Sequence, residues 1–163
     1  LIYSIFRGFG SGIATPKFGT LLQNRGSGFS LTPGHANEMA PGKRPMHTII
    51  PGMLKRDGKV LMPFGVMGGA YQANGHARFL SNIVDFGMDP QAAMDAPRAF
   101  ALSDRLNVER GYAPKVHQAL ADMGHNVMIP DEAIGGSQAI RIHDNGWLEA
   151  GSDPRKDGCA IGY

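Results

Sequence analysis

A chain of 163 residues with 42% apolar and 18% charged side chains carries enough apolar mass for a packed core, which excludes a disordered protein. The net charge is +2, and the basic residues stand singly or beside acids, as in Lys55-Arg56-Asp57 and Arg155-Lys156-Asp157, so no nucleic-acid footprint is present. Six histidines without a close pair and one cysteine, Cys159, offer neither metal-ligand spacing nor an internal disulfide, and no apolar run is long enough to predict a membrane span.

Residues 1–6 are β-branched and aromatic and predict a strand. They begin mid-pattern, without an initiator methionine or leader, as a chain cut inside a strand would. The glycines of Gly8-Phe9-Gly10-Ser11-Gly12 then bend the backbone. Residues 20–22 predict a short strand. Residues 26–45, rich in Gly, Pro and Asn, predict a long irregular loop of the kind that usually carries function. Strands over 49–54 and 60–66 flank the hairpin signal Asp57-Gly58, and the second leads into Met67-Gly68-Gly69.

The spacing of Phe79, Leu80, Ile83, Val84 and Phe86 predicts a helix over 72–86, stopped by Gly87. Asp89 caps and Pro90 opens a short helix over 91–95. A further helix over 113–123 and strands over 127–129, 138–142 and 147–150 follow, the last two joined around Asp144-Asn145-Gly146. Strands on both sides of a helical middle define an α+β fold with a mainly antiparallel sheet, in one domain.

The glycines at 8–12 are not followed by Gly-Lys-Ser/Thr, which argues against a phosphate loop, and Gly10-Ser11-Gly12 is too short for a serine nucleophile elbow. The best chemical candidate is the strand that ends at Gly68-Gly69 ahead of a helix. Backbone N–H groups there, helped by the positive helix end, can hold an anion or a tetrahedral intermediate. The same turn also suits a purely packing role, and both readings stand at this level. Ser152-Asp153-Pro154-Arg155 clusters an acid, a base and a hydroxyl but reads as a buried turn paired through Arg155.

Seven segments occur in one order: Gly8-Phe9-Gly10-Ser11-Gly12, Asn24-Arg25-Gly26, Phe29-Ser30-Leu31, Pro41-Gly42-Lys43-Arg44-Pro45, Met67-Gly68-Gly69, Asp95-Ala96-Pro97-Arg98 and Gly151-Ser152-Asp153-Pro154-Arg155. Together they resemble the small subunit of the γ-glutamyltransferase family, with its acylase-like members, over essentially the whole chain. The resemblance implies half of an αββα N-terminal-nucleophile hydrolase sandwich, spanning 1–163 and lacking its first strand and nucleophile. It implies a threonine, freed by self-cleavage about fifteen residues upstream of Leu1, whose hydroxyl attacks an amide. The implied activity is amide hydrolysis or acyl transfer on γ-glutamyl or related dicarboxylate amides. A binding protein that kept the fold without the chemistry is the alternative.

By the same resemblance Gly68 and Gly69 form the oxyanion hole, Ser4 supplies a hydroxyl beside the nucleophile, and Arg7, Asn24, Arg25, His47 and Thr48 bind substrate. Phe6, Arg25 and Gly28 stand where transferases place groups that hold an ammonium. A cation beside a phenyl ring and a glycine cannot do so, and Arg25 and Arg7 instead suit a carboxylate, unless they are solvated or structurally paired. The implied partners are the large subunit of the same precursor and a small acyl-amide substrate. No cofactor, metal, nucleic acid or membrane contact is expected of the chain, and the cellular compartment stays open.

Overall fold

The computed structural model describes residues 1–162 and divides into two compact units, Leu1–Ile49 and a second from Ile50 onward. The first is mostly irregular. A 3-10 helix at Arg25–Gly28 and two isolated bridges, Ala14 with Leu21 and Ser30 with Glu38, are its regular features. Two predictions fail here for one reason. Residues 1–6 form no strand, and residues 20–22 contribute only the Leu21 bridge. β-propensity becomes a strand only where a neighbour completes the ladder, and among the described residues none pairs with 1–6.

The second unit holds strands β1 (Pro51–Arg56), β2 (Lys59–Met67), β3 (Ala99–Leu102), β4 (Arg105–Val108), β5 (Val127–Met128), β6 (Gly136–Ile142) and β7 (Leu148–Ser152). Its helices are α1 (Gln72–Val84), α2 (Pro90–Asp95) and α3 (Pro114–Asp122). A four-stranded sheet runs β1-β2-β6-β7, antiparallel throughout. A second sheet runs β3-β4-β5, with β4 and β5 parallel. The expected mixed helix and largely antiparallel sheet architecture is therefore present. The β3–β4 hairpin was not anticipated, because its turn at Ser103 (φ 56°) carries no glycine signal.

Alternation along β2 places Met62, Phe64 and Val66 on one face, where they pack with Phe79 and Ile83 of α1 and with Met94 of α2. Each such side chain contributes about 1.5–3 kcal/mol on burial. Asp89 accepts from the Ala92 N–H at 2.7 Å and Pro90 occupies the first turn, so α2 starts where the sequence places it.

The opposite face of the same sheet carries exposed apolar side chains among the described residues. Register puts Met53, Met67, Ile140 and Leu148 on it, exposed by 55%, 55%, 43% and 65%. Among the described residues no helix is long and apolar enough to cross a membrane.

Candidate active site

Strand β2 leaves the sheet at Met67 and turns through Gly68 (φ 133°) and Gly69 (φ 59°) into a 3-10 helix, Gly69–Tyr71, that runs straight into α1. Both dihedrals lie where L side chains are strained, so the turn needs glycine at each position. Two different surroundings follow. A Cβ on Gly69 would meet nothing within 4 Å, whereas one on Gly68 would stand 2.9 Å from the Gly135 Cα. The turn thus faces open space at Gly69 and backbone at Gly68. Both residues are exposed, and among the described residues neither N–H meets an acceptor. Two unoccupied donors at a helix start are what an oxyanion requires.

Behind the turn lies a buried ionic framework. Arg98, 4% exposed, donates to the Ile134 carbonyl at 2.7 Å and to the Ser137 hydroxyl at 2.9 Å, and it pairs with Asp153, 1% exposed. Arg155 grips Glu109 with two N–H groups, at 2.9 and 2.6 Å, and reaches Asp153 Oδ1 at 3.3 Å. Burial pushes the Asp153 carboxyl up, but the Arg155 N–H and the Arg98 guanidinium outweigh it and hold its pKa below the ordinary value. Glu109 behaves alike: burial raises it, and the Arg155 side chain with the Arg98 and Ile134 N–H groups outweighs burial and holds it below the ordinary value. Burial raises the Tyr71 phenol. Ser152-Asp153-Pro154-Arg155 is therefore framework, as its sequence suggests. Arg98, Glu109 and Ser137 complete it from positions to which the sequence reading assigned no role.

The first unit contains a different polar cluster. Arg25 donates to the hydroxyl of Thr48 and, at 3.4 Å, to that of Ser4. Its guanidinium lies over the Phe6 ring at 4.6 Å, and that of Arg7 over the same ring at 5.2 Å. Phe6 adopts φ 81°, a left-handed conformation costly for a bulky residue, with its N–H bonded to Ser4 Oγ at 3.1 Å. Among the described residues no carboxylate lies within ion-pair distance of Arg25. Asn24 spends its side chain on the loop: it accepts from the Arg7 N–H and donates to the carbonyls of Arg7 and Gly10, at 3.0, 3.1 and 2.9 Å. His47 is exposed and stands next to half-buried Thr48.

Strands capped by an open glycine turn, on a mixed helix and antiparallel-sheet body, make this the architecture of the N-terminal-nucleophile hydrolases. The sequence pattern of the gamma-glutamyltranspeptidase family matches residues 1–163, and the chain belongs to that family. It is 37% identical to the glutathione hydrolase-like YwrD proenzyme of Bacillus subtilis and 38% identical to the oxamate amidohydrolase proenzyme of Klebsiella pneumoniae, in each case over 99% of this chain and 32% of the relative. It superposes on the gamma-glutamyltranspeptidase of Pseudomonas nitroreducens in complex with L-DON with a TM-score of 0.85, at 29% identity, over 100% of this chain and 92% of that one. The cephalosporin acylase of Bacillus halodurans also gives 0.85, at 43% identity, over 98% of this chain and 31% of that one. The chain thus spans about a third of the length of the curated relatives it matches.

Proposed function

We propose that this chain is the small-subunit portion of an amide hydrolase or acyl transferase that acts on γ-glutamyl or related dicarboxylate amides. The observation that carries the reading is the Gly68-Gly69 turn: two exposed N–H groups at a helix start, held by dihedrals that only glycine adopts without strain. The attacking group, by family resemblance, is the hydroxyl of a threonine about fifteen residues upstream of Leu1, with its own α-amine as base. Ser4 supplies a hydroxyl beside it. The tetrahedral oxygen that forms on attack takes its hydrogen bonds from Gly68 and Gly69.

Arg25, steadied by Thr48, Ser4 and the Phe6 ring, selects acyl groups that end in a carboxylate, with Arg7 and His47 adding positive or polar character around it. Asn24 acts through the loop that it holds. The sheet face with exposed Met53, Met67, Ile140 and Leu148 suits a large subunit from the same precursor, since an apolar face of this kind is otherwise a liability.

The test uses the full-length precursor. It is expected to cleave itself in two and then to release amine from glutaryl and γ-glutamyl amides, and replacing the upstream threonine with alanine abolishes both events. Precursor that stays uncut yet hydrolyses these amides at the parent rate overturns the reading.

A further inference from the structure

We propose that Gly135 is a positioning residue that locks the Gly68-Gly69 turn in its donor geometry, and that the ionic groups of buried Arg98 and part-buried Glu109 act on catalysis by holding Gly135 in place; this rests on the oxyanion role proposed for the turn. The contact is backbone against backbone. Gly135 sits at φ 64°, and a Cβ there would stand 2.5 Å from the Met67 carbonyl oxygen and 2.7 Å from Tyr71 Cδ1. A Cβ on Gly68 would in turn meet Gly135 Cα at 2.9 Å and Gly135 N at 3.5 Å. The two glycines therefore interlock, with neither side able to accept a methyl group unless the other moves.

Gly135 is itself fixed from the residue before it. The Ile134 N–H donates to Glu109 Oε1 at 3.2 Å, and its carbonyl accepts from Arg98 Nη1 at 2.7 Å, so both amide atoms of Ile134 are held by charged groups. The Arg98 N–H donates to Glu109 Oε2 at 2.9 Å, which ties the two clamps together. The Arg98 guanidinium also lies over the Tyr71 ring at 5.8 Å, and Tyr71 belongs to the short helix that begins at Gly69. One buried cation thus touches both sides of the interlock. After Gly135, the pairing of Met67 with Gly136 closes the loop onto the end of β2. Charge-assisted hydrogen bonds in a dry setting resist displacement more than neutral ones do. The framework is therefore suited to hold the donors still while charge develops on the substrate oxygen, without touching substrate itself.

The experiment uses the processed full-length enzyme with a γ-glutamyl or glutaryl anilide. In Gly135→Ala, kcat is expected to fall about 100-fold with KM within about threefold, the pattern of a lost oxyanion donor. A boronic acid that forms a tetrahedral adduct is expected to lose affinity in parallel, and free glutarate to keep it. Hydrogen exchange supplies a second measurement, independent of turnover. In Glu109→Gln, which keeps the side-chain shape, exchange at the buried Tyr71 N–H, which donates to the Gly68 carbonyl at 3.1 Å, is expected to accelerate while the β1–β2 ladder stays protected. Gly135→Ala that folds with kcat within about threefold of the parent overturns the proposal, and so does Glu109→Gln with unchanged exchange at the Tyr71 N–H. If the parent cleaves no amide, the proposed activity fails, and exchange at the Tyr71 N–H, measured in Glu109→Gln and in Gly135→Ala, still decides whether these residues hold the turn.

Discussion

Arginine serves opposite ends in the two units. In the second, Arg98 and Arg155 are paired with Asp153 and Glu109, and their remaining N–H groups are used on the carbonyls of Met94, Ala96 and Ile134. In the first, Arg25 meets hydroxyls and a ring but no carboxylate among the described residues. A buried arginine with its counter-charge supplied by the fold is framework, because its charge is already neutralised from within. A half-buried one lacking a counter-charge is fit to receive an anion from outside. The side chain's chemistry is the same, and the neighbouring acid decides its role.

That contrast can be broken experimentally, most severely at Arg98. Arg98→Ala removes one of the two cations at buried Asp153, leaving Arg155 alone, and is expected to cost about 3 kcal/mol, read by chemical denaturation of the processed protein. A loss below about 1 kcal/mol would show that Arg98 is not the framework cation described here.

Acid should act on the same region. Asp153 and Glu109 have folded pKa values below their ordinary 3.8 and 4.5, so the folded state binds fewer protons than the unfolded one. Their stabilisation is complete above that range and is lost as pH falls through it towards the lowered values. A thermal midpoint that stays flat from neutral pH down to about pH 3 would contradict this.

Arg25→Gln is expected to be mild for stability, about 1 kcal/mol or less, because only hydroxyl and ring contacts disappear. Its effect belongs to selection: about 10–100-fold lower kcat/KM on amides of an acyl group ending in a carboxylate, with a neutral butyryl amide little changed. Equal losses on both substrates would remove the anion from the argument. Smallest of all is Lys59→Ala, which breaks the exposed 2.7 Å pair with Asp144 and is expected to leave the thermal midpoint unmoved.

The parts of this molecule legible in its sequence are those determined locally. Asp57-Gly58 sets the β1–β2 hairpin and Asp89-Pro90 starts α2, each by the stereochemistry of a few adjacent residues. The Gly68-Gly69 turn was visible for the same reason. Residues 1–6 misled because their side chains suit a strand whose partner the described chain does not provide. The turn at Ser152–Arg155 reads as framework, but its partners Arg98 and Glu109 do not, because Arg98 meets Asp153 across 55 positions and Glu109 meets Arg155 across 46, a distance no periodicity spans. Gly135 gave only the ordinary sign of a turn. Its contact with Gly68 depends on the register of β2 with β6, which the sequence leaves open.

Phe6 carries one last consequence. A phenyl-bearing residue at φ 81° holds roughly 1–2 kcal/mol that glycine would release. Selection for heat resistance alone should therefore favour glycine at position 6, and with it the loss of the ring on which Arg25 and Arg7 rest. Phe6 thus sets backbone strain at one residue against a seat for two guanidinium groups.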